Sequence, residues 1–179
     1  KVIDKEDEVN ILVDSGKVTE EVRIILNKFE DRIVINEREF CGNFSEHRNY
    51  HITKCTGDYI FVLDADEIPQ ELLIRNIKHF KSDILALPRM NIIPGYTEEW
   101  CKKMGFAVNE MGWINWPDYQ GRFFKNNGEI KWSLGLHERL VGSDKISCLE
   151  ANPHLSLWHI KSVEKQEKQD TFYKNLKEN

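Results

Sequence analysis

Long apolar runs are missing from this chain. No stretch approaches the roughly 20 apolar residues that a membrane-crossing helix needs, so no direct membrane span is expected. The first residues show no charged–apolar–small leader pattern, and the expected setting is the cytoplasm. Cysteine is sparse. Cys41, Cys55, Cys101 and Cys148 are far apart and form no C-x-x-C pair. That spacing excludes a disulfide framework or a zinc knuckle and predicts free thiols in a reducing compartment. An excess of positive charge is also lacking. Twenty-five Lys and Arg stand against 30 Asp and Glu, for a net charge of −5. A nucleic-acid partner is therefore not expected, because phosphate backbones favour basic surfaces. No repeat, low-complexity tract or glycine-rich phosphate loop is present. The sequon Asn43-Phe44-Ser45 is too short to carry weight without secretory context. The chain begins at Lys1 rather than Met, and the expectation is a fragment or a trimmed chain.

What is present suits one globular domain. The 179 residues are 40% hydrophobic and 31% charged, enough to bury a sizeable core. Val9–Val13 reads as a strand ending in the turn Asp14-Ser15-Gly16. Thr19 then caps a helix that carries Val22, Ile25, Leu26 and Phe29 at helical spacing. Arg32–Asn36 reads as a second strand. Ser45 is placed as the cap of a helix running to about Thr56, with Gly57 as its stop. Further strands are expected at Asp83–Arg89 and Leu155–Ile160, with a helix from Pro69 to about Phe80. Residues 91–119 read as loops and short elements. Arg122–Lys125 and Glu129–Ser133 read as a hairpin across Asn126-Asn127-Gly128. A charged helix runs from Val163 to Asn179. Strand–helix alternation of this kind predicts an α/β three-layer sandwich with a mostly parallel central sheet.

The most informative stretch is Asp58-Tyr-Ile-Phe-Val-Leu-Asp-Ala-Asp-Glu67. Its apolar run reads as a strand buried on both faces. Asp64, Asp66 and Glu67 follow at the strand's C-terminal end, where open α/β sheets bind ligands. Strand alternation points Asp64 and Asp66 to one side and Ala65 away. Two carboxylates there make a hard oxygen site suited to Mn²⁺ or Mg²⁺. The alternative is structural: Pro69 in a first helical turn, with acids that complement the helix dipole.

A resemblance bears on that choice. Ile11-Leu-Val-Asp-Ser-Gly16, Phe44-Ser-Glu-His-Arg-Asn49, Gly57-Asp-Tyr-Ile60 and Leu63-Asp-Ala-Asp-Glu67 occur in that order. So do Trp116-Pro-Asp-Tyr-Gln-Gly-Arg-Phe-Phe124, Gly135-Leu-His-Glu138 and Trp158-His159. Together they resemble a family 2 glycosyltransferase with the A-type fold, over about residues 8–160. The resemblance implies a metal-dependent, inverting transfer of a sugar from a nucleotide-diphospho-sugar, with a UDP-sugar favoured. The acceptor would be a glycan or another hydroxyl. It implies a single domain: about residues 1–89 for the nucleotide-sugar, about 90–160 for the acceptor, and a C-terminal helix over 161–179. Such enzymes usually carry one more strand and helix before the segment matching Val9–Gly16, so an N-terminal strand is expected to be missing.

The resemblance also assigns roles. Asp14 contacts base or ribose; its structural alternative is a turn-forming Asp. Arg48 pairs with the diphosphate, or forms a salt bridge to Asp64 or Asp14. Asp64 and Ala65 lie by the nucleotide-sugar, Asp64 near ribose and metal. Asp66 ligates the metal, and His159 returns as a further ligand or is structural. His137 and His154 are weaker ligand candidates, and His47 and His51 read as helix-face residues. The base that takes the acceptor's proton is Glu138 or Asp118, with a salt bridge from Glu138 to Arg122 or Arg139 as the alternative. Glu67 is left between orienting the metal and contacting the acceptor. Trp100, Trp113, Trp116 and Trp132, with Tyr96 and Tyr119, offer ring faces for a sugar or are ordinary core, with one or two expected to be exposed. Two rival readings remain: a nucleotidyltransferase acting on sugar phosphates, and a non-catalytic nucleotide- or carbohydrate-binding module.

Overall fold

A computed structural model describes residues 3–177. In chain order the elements are β1 (Asn10–Asp14), α1 (Glu20–Asn27), β2 (Val34–Arg38), α2 (Phe44–Ile52), β3 (Tyr59–Phe61), β4 (Glu67–Pro69), α3 (Glu71–Ile77) and β5 (Ile84–Ile92). Then follow α4 (Glu98–Met104), β6 (Ile114–Lys125), β7 (Lys131–Ser133), β8 (Arg139–Val141), β9 (Ile146–Cys148), β10 (Leu157–Ile160) and α5 (Val163–Lys177). The last two residues of the anticipated C-terminal helix, 178 and 179, lie outside the described residues. The chain forms two compact units, Ile3–Ile60 with Lys125–Asp144, and Phe61–Phe124 with the chain from Lys145 onward.

In the first unit, β1 and β2 pair in parallel, Asn10 opposite Val34 and Asp14 opposite Arg38, joined through α1. Thr19 caps α1, as its sequence predicts, and Glu20 and Glu21 occupy the first turn. The apolar stripe of α1 stays largely uncovered: Val22, Ile25 and Phe29 are exposed. Helix α2 is capped by Asn43 rather than Ser45, with Asn43 Oδ1 accepting the Glu46 N–H at 3.1 Å. Ser45 instead lies inside the helix and donates to the Leu134 carbonyl. The helix stops at Ile52, short of Thr56. Side chains join the backbone N–H groups of Thr53 and Lys54 on its last carbonyls: Thr53 Oγ1 donates to Tyr50 O at 2.7 Å, and Cys55 Sγ to His51 O.

The anticipated hairpin across residues 126–128 does not form. Lys131–Ser133 pairs with Arg139–Val141 instead. Asn127 Oδ1 accepts the N–H groups of Glu129 and Ile130, and Asn126 bonds to the carbonyls of Cys55, Gly57 and Asp58. These side-chain bonds turn the strand away before it can fold back on itself.

The second unit is built on β6, β5, β10 and β4 in that order, with β9 also pairing β5. The pairing is mixed. β10 and β9 run parallel to β5, while β6 and β4 run antiparallel to their neighbours. Leu73 and Ile77 of α3 are buried, as are Leu85, Leu87, Phe124 and Leu157. A smaller core gathers Ile93, Cys101 and Ile114, with Trp100 and Phe106 against it. Residues 91–119 are more ordered than their composition suggests, holding α4 and the start of the twelve-residue β6.

The run from Tyr59 to Leu63 is not a long buried strand. β3 has three residues, only Ile60 of it is buried, and Leu63 is 41% exposed. Val62 still donates to Arg122 O at 2.8 Å, and then the chain turns. Pro69 sits in β4 opposite Leu157, and α3 starts two residues later with Gln70 at its cap. The dipole-cap alternative for the acids therefore fails: Asp64 and Asp66 precede a strand that Glu67 begins, not a helix.

Candidate active site

The candidate residues fall into separate clusters within the two units. In the first unit, Asp14 Oδ1 accepts the N–H groups of Gly16 and Phe40, both at 3.1 Å. Its carbonyl accepts Lys17 and Val18. Asp14 thus builds the turn after β1, as its structural alternative required, and its second carboxylate oxygen is not engaged in these bonds. Arg48 and Glu138, assigned different roles from sequence, meet each other. Arg48 Nε donates to Glu138 Oε1 at 2.6 Å, with both side chains largely buried. The Arg48 guanidinium also lies 4.9 Å from the Trp132 ring centre. Asn49 holds this arrangement, donating to Trp132 O and accepting Trp132 N–H, each at 2.8 Å. That clasp fixes α2 against β7.

His51 lies on α2 beside Asn10, Nε2 to Oδ1 at 3.0 Å, and His47 stacks edge-on against Phe40. Burial lowers the pKa of both imidazoles, more than the neighbouring charges do, as suits helix-face residues. His137 has a positive φ of 56°.

The second unit carries a continuous polar chain across one sheet face. Register explains it. His159 lies opposite Glu67 on one side and Asn91 on the other, and Arg89 lies opposite Asp118. Residues 89 and 91 share a face by strand alternation. Glu67, whose side chain is fully buried, is the hub. Its Oε1 accepts Arg122 at 2.7 Å and Arg89 at 3.2 Å, and its Oε2 accepts the Asp64 N–H at 3.1 Å. Arg122 also reaches Asp64 Oδ2 at 2.6 Å. Glu67 N–H in turn donates to Asp64 O, closing the turn. Glu67 therefore shapes the backbone of the acidic turn, which the sequence left undecided, and Ala65 is exposed within it.

Asp118 is committed on both oxygens. Oδ2 accepts Arg89 and Asn91, at 2.6 and 3.0 Å, and Oδ1 accepts Gln120 at 2.8 Å. Burial pushes its pKa up, but Arg89, Asn91 and Gln120 together hold it below the usual carboxylate range. Such a group is a poor proton acceptor at neutral pH.

Asn91 fixes the next link. Its Nδ2 donates to Asp118 and to Ile114 O, so its Oδ1 faces His159 Nδ1 at 2.7 Å. Nδ1 must then carry the proton, which turns Nε2 toward Asp66 Oδ2, 3.4 Å away. Asp66 and His159 are thus brought together, whereas Asp64 turns to Arg122. Lys165 Nζ lies 3.2 Å and Lys161 Nζ 3.9 Å from the same Asp66 oxygen. His159 first, then Lys161 and Lys165, hold Asp66 far below the ordinary carboxylate range despite its partial burial. No group of three or more His, Cys, Asp or Glu side chains is disposed around one point among the described residues.

Sequence reasoning missed Arg89, Asn91, Arg122, Lys161 and Lys165 as site residues. Arg122 stood inside a quoted motif, but its acids are 55 and 58 positions away. The tryptophans divide differently from expectation. Trp132 is buried, and Trp100, Trp113 and Trp116 are all half-buried. Trp113 and Trp116 meet edge to face at 5.3 Å. All four cysteines are free thiols. No described helix is long and apolar enough to cross a membrane.

The comparisons agree with this architecture. Two crystal structures of TarS from S. aureus, residues 1–349, share the fold. The complex with UDP-GlcNAc aligns with a TM-score of 0.52 at 13% identity, over 86% of this chain and 49% of that one. The complex with UDP gives 0.53 at 13% identity, over 90% and 53%. The chain thus spans about half the length of the structures it matches. No curated protein sequence matches it. The sequence model of glycosyl transferase family 2 matches residues 2–136, most of the chain, and on that match the chain belongs to glycosyl transferase family 2.

Proposed function

We propose that this chain transfers a sugar from a nucleotide-diphospho-sugar to an acceptor hydroxyl, by an inverting and metal-dependent mechanism. Family membership supports the transferase class. The UDP-GlcNAc and UDP complexes of the similarly folded TarS support a UDP-sugar donor.

The observation that carries the metal reading is the pair His159–Asp66. With Nδ1 held by Asn91 Oδ1, His159 Nε2 faces a carboxylate oxygen of Asp66, 3.4 Å away. An imidazole nitrogen and a carboxylate oxygen so placed can share a proton or a cation. Nitrogen and oxygen donors of this kind suit Mn²⁺ or Mg²⁺, the imidazole favouring Mn²⁺. Asp66 and His159 would hold the ion; Asp64, drawn to Arg122, would stay outside the ligand set. Asn91 orients the His159 ring, as an outer partner of a metal-bound imidazole does. A divalent cation bound there supplies positive charge to the diphosphate leaving group. Asp14 is assigned to the base or ribose, Arg48 to the diphosphate and Ala65 to the nucleotide-sugar.

Glu138 is the base of choice. Arg48 Nε engages its Oε1, whereas Asp118 is held on both oxygens by Arg89, Asn91 and Gln120. Asp118 then serves to hold Arg89 and Asn91.

Donor hydrolysis and transfer, assayed with UDP-sugars and Mn²⁺, test the reading. Asp66→Ala should abolish Mn²⁺-dependent turnover, and Glu138→Gln should remove transfer while sparing UDP binding. Full activity in Asp66→Ala would sink the metal assignment.

A further inference from the structure

Asp66 has two ammonium neighbours besides the imidazole of His159. His159 Nε2, Lys161 Nζ and Lys165 Nζ converge on one oxygen, Oδ2. The two lysines are built differently. The Lys161 side chain is 4% exposed, and its ammonium is held by Gln169 Oε1. Gln169 is in turn held by Tyr173. Lys161 is therefore a fixed charge. The Lys165 side chain is 59% exposed. Its backbone is anchored, with Lys165 N–H donating to Ser162 Oγ at the start of α5. Only the flexible four-carbon stem must rotate for Nζ to leave. An exposed ammonium–carboxylate pair is cheap to break.

A divalent cation held by Asp66 and His159 would compete with Lys165 Nζ for Asp66 Oδ2, the oxygen that both His159 and Lys165 approach. The ammonium must then move, and the nearest strong acceptors brought to the site with such a cation are phosphate oxygens. We propose that Lys165 is an exchange counter-ion, neutralising Asp66 in the donor-free protein and passing to the donor's diphosphate when a divalent cation takes Asp66. The proposal rests on the donor and metal reading above. It assigns Lys165 a binding role, makes cation binding weak in the absence of nucleotide, and couples the two ligands. Lys161 stays in place as background charge.

Two titrations on the full chain test it. Mn²⁺ alone is followed by the paramagnetic resonance signal of the free ion. UDP binding at saturating Mn²⁺ is followed by calorimetry. Lys165→Met should tighten Mn²⁺ alone about three- to fivefold, the scale of an exposed ion pair removed. The same variant should weaken UDP about tenfold, the scale of a lost charged hydrogen bond. Lys165→Arg should restore UDP binding. Opposite signs in the two titrations are the signature, since damage to the fold would weaken both. Unchanged Mn²⁺ affinity in Lys165→Met overturns the counter-ion role, and unchanged UDP affinity overturns the transfer to diphosphate. Wild-type protein that binds Mn²⁺ but no UDP would instead refute the donor reading, and the Mn²⁺ titration would still decide whether Lys165 competes for Asp66.

Discussion

The two units of this chain are stabilised in different ways. The second is rich in buried apolar side chains, Leu73, Leu85, Leu87, Phe124 and Leu157 among them, and carries a charged network over that core. The first buries few large apolar groups, Val13, Ile60, Ile130 and Trp132, and leaves Val22, Ile25, Phe29 and Val34 exposed. Its order comes from caps and side-chain-to-backbone bonds, such as those of Asp14, Asn43, Asn49 and Asn126. The lesson is that candidate ligand groups need rigid support, and that support can come from a packed core or from polar clasps.

The sharpest way to break the contrast is at its charged hub. Glu67→Ala leaves Arg89 and Arg122 without their shared buried partner, and denaturant unfolding should show a loss of about 3–5 kcal/mol. Leu73→Ala, at a fully buried site of the same unit, should cost about 2–5 kcal/mol in the same measurement.

A pH titration of stability is the next, smaller effect. Asp118 has a depressed pKa in the folded state, so its contribution is present above the unfolded value of about 3.9 and is lost as pH falls through the lower folded value. Asp118→Asn should therefore be less stable than wild type at pH 7. The gap should close only below the ordinary carboxylate range. A gap that does not vary with pH would show that the charge of Asp118 is not what stabilises. The smallest effect belongs to the first unit: Ile25→Ser on α1 should change stability by less than about 0.5 kcal/mol, because the side chain is already 54% exposed. A large loss there would erase the contrast.

Much of the local structure was legible. Thr19 with its two following acids and apolar spacing marked α1, and the apolar run Ile84–Leu87 marked β5. The acidic turn was recognisable as a special place, but its geometry was not. Whether Asp64 and Asp66 point together depends on Arg122 and His159, which reach the turn only through strand pairing. Only the end of β6, Arg122–Lys125, was read as a strand; its start lay in the stretch read as loops, which pairing to β5 holds extended with register shifts. Glu138 and Arg48 were each singled out from the sequence, for different roles. That they bind each other follows from α2 and the β7–β8 connection meeting 90 residues apart in sequence, which no local pattern encodes.

Asn91 lies between two charged groups and carries no charge itself. On one side stand Asp64, Glu67 and Asp118 with Arg89 and Arg122; on the other stand Asp66 and His159 with Lys161 and Lys165. The amide transmits orientation from the first group to the second, because its nitrogen and oxygen ends cannot be exchanged without setting acceptor against acceptor at Asp118. It transmits no proton, because an amide neither gains nor loses one at neutral pH. Asn91 thus works as an insulated coupling: the ring of His159 is aimed by the structural network without exchanging a proton with it. An aspartate of the same shape at position 91 would join the two groups into one titrating system.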